Sequence, residues 1–313
     1  MASASTHHGI PLLFRYPGAK GRAIEAYGAT YKAQAEGIDH LIVPFAGTLA
    51  EPLWLLKDGL FAEGGLLTVN DASPHVANLW RAVVTDGALL AELASNLFAE
   101  WNAMPTDLET RKAAFLALRG QVNKTVFGSV PTAGLYGSTL QAARFLLFQA
   151  TNFNGLLRTN KSGKINTPYG TERDKTPRAL NVEAIGASIR RAADLLDASR
   201  VEVKITCLDW RDVPLLNQSS STDNTLVIAD PPYYNTHSRY TADGFPSSDH
   251  VDLVQVLTDA PCRAIVTNST SARTLFDPNL WDVSDHAVRR SIAPTAEGRG
   301  NAGEILAVKR AMR

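Results

Sequence analysis

Leu226-Val227-Ile228-Ala229, followed at once by Asp230-Pro231-Pro232-Tyr233, is the stretch on which the fold turns. Four consecutive apolar residues bounded by a Pro-Pro pair read as a short strand buried on both faces. The two prolines end its hydrogen-bonded ladder and stiffen the backbone. They hold a carboxylate, a fixed carbonyl and an aromatic ring together at a strand's C-terminal end. Open α/β sheets bind their ligands at that edge. The same four residues also fit a proline-rich turn with a capping aspartate.

Working outward, further short apolar runs read as buried strands at 41–45, 66–69, 201–206 and 264–267. Helical patterns cover roughly 72–84, 86–103, 107–128, 138–152, 181–198 and 249–259, the first opened by Ser73-Pro74, a cap followed by a first-turn proline. The segments 281–288 and 304–309 look like a strand pair. Strands alternating with helices predict an α/β sheet. The alternation breaks between about 85 and 195, where the chain is mainly helical and basic. The sequence therefore predicts a catalytic domain made of residues 1–84 and 195–313, with 85–194 inserted as a second lobe.

Composition narrows the class. The 313 residues carry 31 Lys/Arg and 31 Asp/Glu, a formal net charge of zero, with 45% apolar and 20% charged residues. That balance fits a globular protein and excludes wholesale disorder. Cys207 and Cys262 form no CxxC pair, which argues against a disulfide scaffold or a cysteine zinc site and suits a cytoplasmic protein. His7 and His8 alone make no metal site. The first eight residues lack the charged start and apolar stretch of a signal peptide. No uninterrupted apolar run approaches the roughly 18–20 residues that span a bilayer, so no membrane partner is expected.

The neutral total hides an asymmetry. Residues 111–191 carry 13 Lys/Arg against three Asp/Glu, a net +10, and the rest of the chain carries −10. A basic segment within a neutral chain is what a polyanion-binding module needs, because each phosphate contact releases counterions. A merely solvated surface has the same composition.

Four motifs carry chemistry. Asp230 and the Pro231 carbonyl can each accept one N–H bond from an exocyclic amino group. Such a nitrogen is a poor nucleophile while its lone pair is delocalised into the base, and these two bonds draw the pair out of conjugation. Pro232 stiffens the turn, and Tyr233 can stack on the base. The chemistry that needs this trio is amino-group methylation. Pro44-Phe45-Ala46-Gly47-Thr48, after the 41–43 strand, is a small-residue turn that lets a ligand approach the backbone, or a plain tight turn. Asp71, 24 residues after Gly47, ends the next strand, where an acid can hold a ribose diol or cap a helix. Phe14-Arg15-Tyr16-Pro17-Gly18-Ala19-Lys20 places a lysine after a tight turn, within reach of a carboxylate or simply solvated. Finally, Phe153-Asn154-Gly155 through Asn166-Thr167-Pro168-Tyr169-Gly170 is polar, basic and glycine-punctuated, as suits a loop or hairpin. Its amide, guanidinium and ammonium donors serve phosphate and base-edge contacts. A mobile surface hairpin has the same look.

Taken in order, these residues resemble the Dam-type DNA N6-adenine methyltransferases, with Asp230-Pro231-Pro232-Tyr233 as the catalytic tetrapeptide. Tyr16 to Lys20 resembles the family's N-terminal cofactor motif, Pro44 to Gly47 its glycine loop, Asn70-Asp71 its acidic motif, and Asn154 to Gly170 its DNA-recognition hairpin. Thr267-Asn268-Ser269 and Arg289-Arg290-Ser291-Ile292 fit its C-terminal part.

The resemblance implies a Rossmann-like methyltransferase sheet with helices on both faces, plus a mainly helical DNA-recognition lobe with a hairpin. It implies S-adenosylmethionine as donor and no metal. Lys20 would bind the cofactor's carboxylate, Tyr16 and Gly47 would also contact the cofactor, and Asp71 would take its ribose hydroxyls. Phe45 and Trp210, with Asp209, would surround its adenine, and Asp230 would face both cofactor and target. The partner implied is duplex DNA with the target base flipped out, contacted through Lys124, Arg158, Asn160, Lys161, Lys164 and Asn166. One recognition lobe per catalytic lobe suits a monomer. Nothing indicates a cognate restriction nuclease, so restriction-modification, phage and regulatory settings stay open. N4 of cytosine poses the same chemical problem, and a catalytically silent DNA-binding relative is the third alternative. Two departures stand out. Leu49 replaces a second loop glycine, where its side chain is expected to crowd the cofactor. Thr159, Lys161 and Ser162 stand where GATC-methylating members are expected to carry tyrosine, leucine and arginine, which implies a different site.

Overall fold

In the computed structural model, residues 9–15, 24–61, 63–124, 138–170, 179–213, 224–234, 244–290 and 300–311 are described. Seven helices and seven strands follow in order: α1 (Ile24–Ala35), β1 (His40–Val43), α2 (Ala50–Lys57), β2 (Leu66–Asn70), α3 (Pro74–Ala103), α4 (Leu108–Lys124), α5 (Thr139–Thr151), α6 (Val182–Ala198), β3 (Glu202–Thr206), β4 (Thr225–Ala229), α7 (Ser247–Asp259), β5 (Arg263–Ser269), β6 (Trp281–Arg290) and β7 (Gly300–Lys309).

The strands form one sheet in the order β3-β2-β1-β4-β5-β7-β6. β1 to β5 run parallel, and β7 runs antiparallel between β5 and β6. The chain switches direction across the sheet between β1 and β4, which opens a crevice at their C-terminal ends. β1 and β4 are buried along their whole length, as central parallel strands must be. β3 is the edge. Its Glu202 and Lys204 face solvent and pair with each other at 3.3 Å, a charged edge that resists further strand addition.

The period of two sorts the strand residues into two cores. Leu41, Val43, Leu226, Ile228, Ile265 and Leu306 join the larger cluster, which includes side chains of α1, α2, α3, α5 and α6. Ile42, Val227, Ala229, Val266, Ile305 and Ala307 join the smaller, with Leu253 and Leu257 of α7. Helices therefore cover both faces, and the central strands β1 and β4 are buried on both sides because each side has a layer to pack against.

Two differences from the sequence reading have plain causes. Its helical patterns at 72–84 and 86–103 are one helix, α3, with non-helical dihedrals at Asp86 (φ −141°, ψ 37°). The helix thus runs through the expected domain boundary at 84/85. By length and composition α3 is also apolar enough to cross a membrane, which a search for uninterrupted apolar runs misses. In the fold it buries Leu79, Trp80, Leu90 and Phe98 and packs against α5 and α6. The short helices α1 and α2 escaped the sequence reading. α2 is almost entirely buried, so it has no polar face to give an amphipathic period.

Candidate active site

The loops after β1, β2, β3 and β4 meet at the crevice, and Asn70 ties three of them. It is fully buried. Its Nδ2 donates to the carbonyls of Pro44 (3.0 Å) and Leu208 (3.1 Å), and its Oδ1 accepts from Leu208 N (2.9 Å) and Thr206 Oγ1 (2.8 Å). All four hydrogen-bonding positions of the amide are used. Its own carbonyl accepts from Ala46 N at 2.8 Å.

Asp71 continues the clamp. Its Oδ2 accepts from Gly47 N (3.0 Å) and its Oδ1 from Ser73 N (2.8 Å). Burial pushes its pKa up to about 6, against the opposing pull of those two N–H bonds. Each carboxylate oxygen keeps a second lone pair, so ribose hydroxyls remain compatible with this geometry. Gly47 sits at φ 45°, and its carbonyl accepts from Trp80 Nε1 at 2.9 Å.

Leu49 occupies the N-cap of α2 at φ 53°, ψ 30°, the left-handed region. A glycine there costs nothing, whereas a leucine costs about 1–2 kcal/mol. Its side chain is 1% exposed and lies in the larger core. The departure at this position therefore shows as backbone strain beneath a buried side chain. The expectation that the side chain crowds the cofactor gives way to that finding.

Phe45, Phe245 and Trp210 form an aromatic group beside this loop. Phe45 meets Phe245 edge-on at 5.6 Å, and Trp210 lies 6.5 Å from Phe245. The buried Trp210 indole N–H has no hydrogen-bond partner among the described residues. An unsatisfied buried donor next to aromatic faces fits an incoming heteroaromatic ligand. Asp209 caps the 3-10 turn at 210–212, its Oδ1 accepting from Arg211 N at 2.9 Å. The Arg211 guanidinium lies 4.7 Å from the centre of the Trp210 ring. Tyr16 and Lys20, the remaining expected cofactor contacts, lie outside the described residues.

The tetrapeptide after β4 is held from β5 and β7. Thr267 Oγ1 donates to Asp230 Oδ1 at 2.7 Å. The Tyr233 hydroxyl donates to Glu304 Oε2 at 2.7 Å. Tyr234 N donates to Asn268 Oδ1 (2.8 Å), and Ser269 Oγ donates to the Tyr234 carbonyl (3.1 Å). Pro231 is buried, while Asp230, Pro232 and Tyr233 stay partly open. Glu304 is the residue the sequence reading missed. Its signal was a carboxylate in the otherwise apolar run Glu304-Ile305-Leu306-Ala307-Val308, since a charge in a buried strand demands partners.

The expected hairpin is a loose one. Thr159 bridges Ile165 and Asn152 bridges Tyr169. Leu157, Ile165 and Thr167 turn inward, while Arg158, Asn160, Lys161, Lys164 and Asn166 are exposed, as is Lys124 on α4. The Asn160 Oδ1 closes the tip by accepting from Ser162 N, Ser162 Oγ and Lys164 N. From α4, Asn123 exchanges two bonds with the Ile165 backbone and Arg119 donates to the Asn166 and Thr167 carbonyls. At the hairpin's base Gly155 has φ 67°, and a Cβ there would lie 2.7 Å from the Arg15 Cβ. Only glycine lets the segment that leads into Tyr16 approach so closely. Among the described residues no group of three or more His, Cys, Asp or Glu could hold a metal.

A seven-stranded mixed sheet with a glycine loop after β1, an acid after β2 and Asp-Pro-Pro-Tyr after β4 is consistent with a methyltransferase fold. Residues 16–279 match the D12 class N6 adenine-specific DNA methyltransferases, and the chain belongs to that enzyme family. It is 26% identical over 309 residues to a DNA N-6-adenine-methyltransferase of Escherichia phage P1, covering 95% of this chain but 35% of the phage protein. It is 26% identical to the retron Ec67 DNA adenine methylase of Escherichia coli, covering 86% and 82% of the two chains. It is 27% identical to the Type II methyltransferase M.MjaIII of Methanocaldococcus jannaschii, covering 70% and 68%. The chain thus spans about a third of the phage relative and two thirds or more of the other two.

Proposed function

We propose that this protein transfers a methyl group from S-adenosylmethionine to N6 of an adenine flipped out of duplex DNA. The observation that carries the reading is the seat of Asp230-Pro231-Pro232-Tyr233. It lies at the switch-point edge of the sheet, with its carboxylate held by Thr267 and its aromatic hydroxyl by Glu304. When bound, S-adenosylmethionine would supply an electrophilic methyl on a sulfonium, its C–S bond breaking as the N–C bond forms, with S-adenosylhomocysteine as the leaving product. Phe45, Gly47, Asp71, Asp209 and Trp210 would hold it, joined by Tyr16 and Lys20.

The chain's own groups then do the rest. Asp230 and the Pro231 carbonyl accept the two amino N–H bonds and direct the nitrogen lone pair out of the ring plane. Tyr233 stacks on the base. Thr267 keeps Asp230 aimed, so the carboxylate need not reorganise during transfer.

The segment 85–194 serves as target-recognition domain in this reading, and 1–84 with 195–313 as catalytic domain. Arg158, Lys161, Lys164 and Lys124 meet phosphates, while Asn160 and Asn166 offer amide donors to base edges. The Asn160 carbonyl oxygen already closes the hairpin tip, so its Nδ2 is the atom it has to offer. The two free cysteines suit the cytoplasm as its compartment, and one hairpin per sheet suits a monomer.

The test is product analysis. Purified protein is incubated with S-adenosylmethionine and unmethylated genomic DNA, and the digested nucleosides are identified by mass spectrometry. N6-methyladenine is the expected product. N4-methylcytosine would move the target and keep the mechanism. DNA binding without any methylated base would overturn the catalytic reading.

A further inference from the structure

Glu304 belongs to no motif of the sequence reading, yet it is 2% exposed and sits against the catalytic tetrapeptide. It lies on β7, opposite Ser269 of β5 and His286 of β6. By the period of two it shares a face with Leu306, the face of the larger core. Thr267, which holds Asp230, lies on the corresponding face of β5 with Ile265. Two phenols converge on its carboxyl group: Tyr233 donates to Oε2 at 2.7 Å, and Tyr27 of α1 donates to Oε1 at 3.0 Å. Tyr27 is itself fully buried and meets the His286 ring edge-on at 4.7 Å. Its own position is therefore fixed by packing.

A tyrosine ring swings about two side-chain torsions, and a bond at its far end removes that freedom. A hydroxyl committed to a buried carboxyl group is also a poor candidate for donating to a substrate. We propose that Glu304 is a positioning residue for methyl transfer. It anchors the Tyr233 hydroxyl, with Tyr27 bracing the other carboxyl oxygen, so that the Tyr233 ring acts as a fixed stacking plate and its hydroxyl takes no part in the chemistry. This rests on the reading of Asp230 to Tyr233 as the transfer site.

The test is a double-mutant cycle on Glu304→Leu, which removes both acceptor oxygens at similar size, and Tyr233→Phe. It reads kcat, KM for S-adenosylmethionine and KM for unmethylated genomic DNA by methyl incorporation, with DNA affinity and Tm measured alongside. Each single change is expected to lower kcat about 10- to 100-fold, the scale of a small misplacement near the reacting atoms. KM for S-adenosylmethionine should stay within about twofold, and the double variant should be no slower than the worse single one, because both delete the same bond. If Glu304→Leu does not fold, the pair Tyr233→Phe and Tyr27→Phe removes the two bonds from their other ends, and a larger kcat loss from the first is expected.

Multiplying effects in the cycle, equal losses from both tyrosines, or a kcat loss that only tracks Tm would overturn the positioning role. A wild-type enzyme that methylates adenine, with Glu304→Leu matching it in kcat, overturns that role alone. A wild-type protein that methylates no adenine overturns the reading beneath it and the role with it.

Discussion

The crevice end of the sheet and the hairpin at 152–170 are both rich in polar side chains, but they spend them in opposite ways. At the crevice, Asn70, Asp71, Thr267 and Glu304 face inward and bond across from one element to another. On the hairpin, Arg158, Lys161, Lys164 and Asn166 face water, and the turn is steadied from one side by Asn123 and Arg119. The first arrangement is rigid and pre-formed, as chemistry requires. The second leaves its side chains exposed, as the proposed contact with a polyanion requires. Not every cation of the basic segment belongs to the second kind. Arg111 is buried and its guanidinium donates to the carbonyls of Trp101, Asn102, Met104 and Pro105, closing the C-terminal end of α3.

That contrast can be broken at its strongest point first. Asp230→Ala is expected to lower methyl transfer by about 10²- to 10³-fold, the scale of losing a key transition-state contact, with DNA affinity nearly unchanged. An equal loss of DNA affinity in a filter-binding or anisotropy assay would remove the distinction between the two regions.

Next comes Asn70→Ala. It strands the Pro44 and Leu208 carbonyls and the Leu208 N–H, and leaves the Thr206 hydroxyl only the Val69 carbonyl at 3.5 Å. Unsatisfied buried groups of this kind should cost about 3 kcal/mol of stability and about tenfold in S-adenosylmethionine affinity. Thermal melts and calorimetry read the two effects separately.

Leu49→Gly sharpens the comparison within the crevice. Relief of the left-handed backbone returns about 1–2 kcal/mol, and loss of the buried side chain costs about 2–5 kcal/mol. The net expectation is a Tm lower by about 5 °C, with cofactor affinity unchanged in calorimetry. A marked gain in cofactor affinity would revive crowding by this side chain.

The smallest effect lies on the hairpin. Arg158→Ala should weaken DNA binding only several-fold, reduce the slope of log affinity against log salt by about 1, and leave Tm unmoved. An unchanged salt slope would take Arg158 out of the phosphate-contacting set.

Much of the crevice was legible beforehand because its signals are local. The run from Leu226 to Tyr233 carries strand, stop and functional group in eight residues, and Gly47 and Asp71 each lie within four residues of the end of their own strand. The hairpin was legible as a polar, glycine-marked segment. Its tether to α4 was not, since Arg119 and Asn123 lie more than 40 residues away in sequence. Leu49 stands out in the sequence only as a departure from a loop glycine; its backbone angle and its burial are not legible there, because a dihedral and a core position are properties of the packed chain.

The sequence by itself determined the α/β class, the strand that carries Asp230 and the basic character of 111–191, all of which follow from short-range pattern and charge. Tertiary structure alone decided that β7 runs antiparallel between β5 and β6. That placement brings Glu304 against Tyr233, 71 residues earlier, and against Tyr27, 277 residues earlier. The physical reason is that a buried carboxyl group must find donors wherever the fold supplies them, and strand order, which no local pattern encodes, settles which donors those are.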